Sequence, residues 1–178
     1  FKGGVTNFAK FKDDVHRLLN SAGDALVTTM LDYYALPNDF PGMSTRPNAS
    51  ALKRVKHIED AIAGHFGSPS NFLPFLALHE FEAWLFSSPS ELPKVMTEKE
   101  KESEFAAIIK EFPSPEEINE GPESAPSKRI KSLFPAYRKT VHGPLVTHRI
   151  GVQQIRQSCR HFDDWLMKLE SYATSPDA

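Results

Sequence analysis

Apolar positions along the chain recur in two periods, and each predicts its own kind of element. Over residues 7–20, "NFAKFKDDVHRLLN", Phe8, Phe11, Val15, Leu18 and Leu19 return at helical spacing with polar residues between them. Thr6 or Asn7 stands where a cap for that helix is needed. Residues 24–32, "DALVTTMLD", form a short apolar and β-branched run, the pattern of a buried strand. Residues 71–78, "NFLPFLAL", predict a second one. Between them, "YYALPNDFPG" carries two prolines, Asn, Asp and Gly and predicts a loop. Residues 49–66 predict a helix that Gly67, Ser68 and Pro69 end. Phe81, Trp84 and Leu85 share one face of a helix over residues 80–86. Near the end, "HFDDWLMKLESYA" is amphipathic, with Phe162, Trp165, Leu166 and Leu169 inward.

Strand, helix, strand and helix at short spacing predict an α/β domain with a mostly parallel sheet. Residues 1–90 would hold the sheet core, and residues 91–178 a mainly helical extension of the same domain. The 178 residues, 40% of them apolar, suffice for one such core. The single cysteine, Cys159, excludes an internal disulfide framework and a cysteine-rich zinc site, and fits a reducing cytoplasm. No apolar run reaches the roughly 18–20 residues of a membrane span, so no membrane partner is expected. The chain opens on Phe1 rather than Met, which predicts that an N-terminal segment precedes it.

Charge changes this picture in one respect. The net charge is 21 − 23 = −2, so the molecule taken as a whole is not a general polyanion binder. Yet residues 91–125 hold ten acids against four lysines, while residues 126–160 hold eight bases and no acid. A near-neutral total hides a segregated chain.

Two places carry candidate chemistry. The first is "FLPFLALHEFEAWLFSS", where His79, Glu80 and Glu82 interrupt an apolar run. Buried charge is costly unless paired or metal-bound. Asp32 closes the first predicted strand, and His79 and Glu80 follow the second. Ligands in open α/β sheets bind beyond the carboxyl ends of strands. Carboxylates from two strand ends can share a hard divalent cation, Mg²⁺ or Mn²⁺, with Asp32, Glu80 and Glu82 as ligands. The alternative is that Glu80 and Glu82 are solvated first-turn acids and His79 a satisfied histidine.

The second place is "APSKRIKSLFPAYRK". Ser127 can cap a helix there, which puts Lys128 and Arg129 in its first turn. Cations at a helix N-terminus are mildly unfavourable, and a bound anion would account for them. With Lys131, Arg156 and Arg160, they predict a phosphate- or nucleic-acid-binding face. The alternative is a surface helix paired with the acidic segment before it. In "SPEEIN", Pro115 and the acids after it fit a helix start, and Glu117 or Asn119 could join a site. Cys159 lies beside Arg160 and His161, which could lower its thiol pKa, but no acyl-transfer constellation accompanies it, so it is read as a buried or incidental thiol. Phosphate-loop, dinucleotide-binding and zinc motifs are absent.

At "TTMLDYYALPNDFPG", "FLPFLALHEFEAWLFS", "PEEINEGPESAPSKRI" and "GVQQIRQSCRHFDDWLMKLE", the chain closely resembles the bacterial family labelled domain of unknown function 4276. That resemblance implies a Toprim-like fold, the metal-binding fold of topoisomerases, primases and overcoming-lysogenization-defect nucleases. It also implies a phage-defence setting and a partner ATPase. A Toprim site uses a glutamate after its first strand and an Asp-x-Asp after a later one. Asp32 would be the first acid of that pair; Tyr34 stands where the second would be, and the glutamate and first strand would lie upstream of Phe1.

The leading expectation is therefore a cytoplasmic Mg²⁺-dependent nuclease or phosphodiesterase acting on DNA or RNA. Asp32, Glu80 and Glu82 would hold the ion, His79 would act as base or orient a carboxylate, and Lys128 and Arg129 would grip phosphate. The alternative is a non-catalytic nucleic-acid-binding or regulatory subunit of an ATPase complex, and the Tyr34 departure favours it. Hydrolysis of a small phosphorylated molecule is a third, and an oligomer is compatible with each.

Overall fold

The computed structural model describes residues 5–118, 121 and 124–174. In chain order the elements are α1 (Phe8–Ala22), β1 (Val27–Thr28), β2 (Leu31–Asp32), α2 (Ala51–His65), β3 (Phe72–Leu73), β4 (Leu76–Ala77), α3 (Glu91–Val95), α4 (Glu102–Lys110), α5 (Pro126–Leu133), α6 (Lys139–Ile150), α7 (Val152–Ser158) and α8 (Arg160–Ala173). Short 3₁₀ helices lie between them, the longest at Phe81–Ser87. The chain divides into two compact units, Phe1–Leu78 with Trp165–Ala178, and His79–Asp164. It is a mixed α/β protein with short parallel strands.

The first unit holds the strands. β1 pairs with β3 and β2 with β4, both parallel. Val27 faces Phe72 and Leu31 faces Leu76, so a single register runs through both pairs. Two continuous strands are thus replaced by four short ones with a break at Thr29 and Pro74. The cause is local. Pro74 has no N–H to give to a ladder. The Thr29 hydroxyl substitutes for backbone, accepting from Phe75 N at 3.0 Å and lying 3.3 Å from Phe75 O.

The helices of this unit follow their apolar spacing. Asn7 Oδ1 caps α1 by accepting from Lys10 N at 2.9 Å. Phe11 and Val15 are buried and Leu19 packs beside them, but Leu18 is 53% exposed. Phe8, Phe11, Val15 and Leu19 advance by three and four residues along the buried stripe, and Leu18, at its edge, is left to solvent. On α2, Val55, Ile58 and Ile62 are fully buried. From the same helix, Glu59 Oε1 accepts from Leu76 N at 2.8 Å. The intervening loop is no mere connector, because Leu36, Phe40 and Met43 join the core. It closes through Gly42, at φ +83°, where an added Cβ would lie 2.9 Å from Ala61 Cβ. Late in the chain, Trp165 stacks on Phe75 with ring centroids 4.6 Å apart and donates to Thr28 Oγ1 at 3.0 Å.

The second unit is helical among its described residues. Residues 82–87 of the 3₁₀ helix are all buried, so this segment has no solvent face. Its core joins Leu85, Phe86, Leu92, Phe105, Ile130 and Phe134.

Candidate functional site

Both constellations of the second unit meet in one place. α5 begins at Pro126 after Ala125, a residue whose side chain cannot cap it. Ser127 is therefore inside the first turn and is not the cap the sequence predicts. Its backbone N donates to Glu80 Oε2 at 2.9 Å and its hydroxyl to Glu80 Oε1 at 3.1 Å. The anion that the basic helix start calls for is present, and it is the carboxylate of Glu80. The helix dipole and two charge-assisted hydrogen bonds stabilise it there.

Glu82, two residues on, is fully buried. Lys139 Nζ, at the start of α6, approaches its Oε2 to 2.8 Å. The pairing is an ion pair, with no other partner for either carboxylate oxygen among the described residues. Burial raises the Glu82 pKa, and Lys139 works against that rise. The buried hydroxyl of Tyr137 has no hydrogen-bond partner among the described residues, and burial, then the Glu82 and Glu80 charges, push its pKa up. His79 is buried as well.

A third buried acid repeats the Glu80 arrangement. Glu116 accepts from His161 N at 2.8 Å and Phe162 N at 3.0 Å, the first turn of α8. Burial raises its pKa, and those two bonds lower it. The sequence favours a structural helix start here, with Glu117 or Asn119 as the lesser alternative for a site, and does not single out Glu116; Glu117 is exposed, and Asn119 lies outside the described residues. The available signal was the helix start itself. α5 and α8 follow Ala125 and Cys159, neither of which is a good N-cap, and a distant carboxylate fills that role at each. Cys159 is buried, and its thiol is pushed up to about 12 by burial and by Glu116. This is the buried thiol that the sequence predicts, and its basic neighbours do not lower it.

The predicted cations divide into two groups. Lys128 and Lys131 are exposed and three residues apart on α5, on one face of that helix. Arg160 is exposed at the start of α8. Arg129 instead donates from Nε to Ser124 O at 3.1 Å, lies 4.9 Å over the Phe112 ring and meets Glu111 at 3.3 Å. Arg156 is tied to Asp163. Asp32 is in the first unit, half-buried at the end of β2, with Tyr34 59% exposed two residues later.

Among the described residues, no group of three or more His, Cys, Asp or Glu could hold a metal ion. Glu80 has both oxygens engaged by Ser127, and Glu82 has a lysine ammonium against it. As held here, this pair does not fit a magnesium ion, which needs accessible carboxylate oxygens.

The family model described as Domain of unknown function (DUF4276) matches residues 2–170. The chain belongs to the DUF4276 family. That membership agrees with the resemblance carried by the four sequence blocks. In this DUF4276 chain, the "HEFE" block caps the helix of the "APSKRI" block, and Glu116 of the "PEEIN" block caps the helix of the "CRHFDDW" block. No curated protein and no solved structure matches the chain significantly. No helix of the described residues is long and apolar enough to cross a membrane.

Proposed function

We propose that this chain is a non-catalytic nucleic-acid-binding module, working as a regulatory subunit of an ATPase complex. One observation carries the binding reading: residues 126–160 hold eight bases and no acid, and Lys128 and Lys131 present theirs to solvent from one face of α5. Phosphate backbones are bound through such cations with little demand on sequence. The buried acids favour binding over catalysis, since Glu80 and Glu116 secure helix starts and Glu82 balances Lys139. The acidic segment 91–125 is suited to a basic partner surface, and the setting would be phage defence in the cytoplasm.

Fluorescence anisotropy with labelled single- and double-stranded DNA and RNA tests this reading. Binding with a Kd of roughly 1–100 μM that weakens steeply with salt is expected, with no cleavage when Mg²⁺ or Mn²⁺ is added. Absence of binding at low salt would remove the proposal.

A second reading is a Toprim-like Mg²⁺-dependent nuclease. Asp32, at the carboxyl edge of the parallel pair β2–β4, favours it. Metal-dependent cleavage of DNA or RNA that Asp32→Ala abolishes would establish this reading in place of the first.

A further inference from the structure

Within the second unit, a cavity of about 300 Å³ opens between the end of the 3₁₀ helix, the start of α3 and the α6–α7 junction. Ser87, Ser88, Glu91, Arg149, Ile150 and Gln154 line it. It includes none of the site residues that the sequence predicts. Its volume is at the lower end of the range for small-molecule sites, and most of its lining side chains are polar.

The decisive feature is the way Arg149 is held. Its Nε donates to Glu91 Oε2 at 2.8 Å. Its two terminal nitrogens donate no hydrogen bond to any described residue. Glu91 is fixed in turn from the other side, where Oε1 accepts from Lys94 Nζ at 2.8 Å and from Ser90 Oγ at 3.2 Å. These bonds hold the Glu91 pKa down at about 2, so it is ionised at any physiological pH. The cluster therefore carries one negative and two positive charges, a net of +1. A guanidinium tethered at Nε keeps its Nη1/Nη2 edge for a bidentate acceptor, and oxyanions such as phosphate match that edge. The Ser88 hydroxyl, which also makes no hydrogen bond within the described residues, supplies a further donor at the same cavity.

We propose that this cavity is a binding site for a phosphate monoester, with Arg149 gripping the phosphate and Glu91 and Lys94 holding Arg149 in place. The site uses Arg149, one of the eight bases of residues 126–160, but none of the exposed lysines of α5, so it can be tested apart from the nucleic-acid reading. A monoester could arrive as a free mononucleotide or as the 5′ end of a nucleic acid. The shared chemistry is a terminal phosphate with two or more unesterified oxygens.

Isothermal titration calorimetry of the whole chain with inorganic phosphate, a mononucleotide and the matching nucleoside tests it. Saturable phosphate binding with a Kd of about 1 mM or tighter is expected, with the mononucleotide tighter than phosphate and the nucleoside silent. Arg149→Gln should weaken phosphate binding tenfold or more. Because that change also removes an ion pair, Ser88→Leu serves as a second variant: it fills the cavity, leaves Glu91 and Arg149 paired, and should weaken phosphate binding comparably at an unchanged melting temperature. A 5′-phosphorylated oligonucleotide that competes with phosphate better than the mononucleotide would assign the source to a nucleic-acid end; the reverse order would assign it to a free nucleotide. No saturable phosphate binding, nucleoside binding equal to the mononucleotide, or both variants binding as wild type would overturn the proposal.

Discussion

Glu82 shows how one side chain can make stability depend on pH. Its ordinary carboxyl pKa of 4.5 is raised in the fold by burial. The folded state therefore prefers the protonated acid. Its contribution to stability is fully present below the unfolded value and is lost as pH rises through the folded value. Glu116 acts with the same sign, whereas Glu91, lowered to about 2, has the opposite one. Chemical denaturation from pH 4 to pH 8 should show Glu82→Gln with a flatter decline than the wild type, since the amide has no proton to lose. Equal slopes would mean that Lys139 fully compensates the buried charge. Lys139→Ala should be worse at pH 8 than at pH 5, because removing one partner of a buried pair leaves an uncompensated charge.

At the scale of elements, two helices that cannot cap themselves rely on carboxylates from far along the chain. Ser127 and Glu80 are 47 residues apart. Glu80→Ala should destabilise the chain by about 1–2 kcal/mol, the usual cost of removing an N-cap, and Glu116→Ala by at least as much, because its two backbone partners are buried. Glu80→Gln should recover part of the loss, as an amide oxygen still accepts from Ser127 N. Thermal melts with circular dichroism check all three. Gly42→Ala should cost about 1–3 kcal/mol, since a positive φ and an approach under 3 Å both oppose a side chain there. These dependencies explain what the sequence revealed and what it hid. The helices α1 and α2 were legible because period and end signals are local; Asn7, the Phe8–Phe11–Val15 spacing and the Gly67-Ser68-Pro69 stop sufficed. The strands were legible in kind but too long, because the break comes from a proline on one strand and a threonine hydroxyl on its neighbour. The acids at "HEFE" and the missing anion at α5 were each visible as an unmet requirement. That each met the other could not be read, because only the tertiary fold joins residues so far apart.

For the whole molecule, the question is which of the eight bases in residues 126–160 act on a partner and which hold the fold. A charge count cannot separate them, but their surroundings can. Lys128 is exposed, whereas Arg129 beside it covers Phe112 and ties α5 to Ser124 O. If the acid-free block binds nucleic acid, Lys128→Ala should leave the melting temperature within about 1 °C, because surface substitutions cost little. It should also reduce the slope of log Kobs against log salt by about 1, since one phosphate fewer is neutralised. Arg129→Ala should do the reverse, lowering stability by about 1 kcal/mol as its stacking and hydrogen bonding disappear, while leaving the salt slope unchanged. Lys128→Ala with Lys131→Ala should lower the slope by about 2, one for each phosphate no longer neutralised. A slope insensitive to both lysines would place any nucleic-acid binding elsewhere on the chain. Lys128 and Arg129 are adjacent in sequence and carry the same charge, so an effect of net charge alone would move both variants together. Only site-specific binding predicts that they diverge.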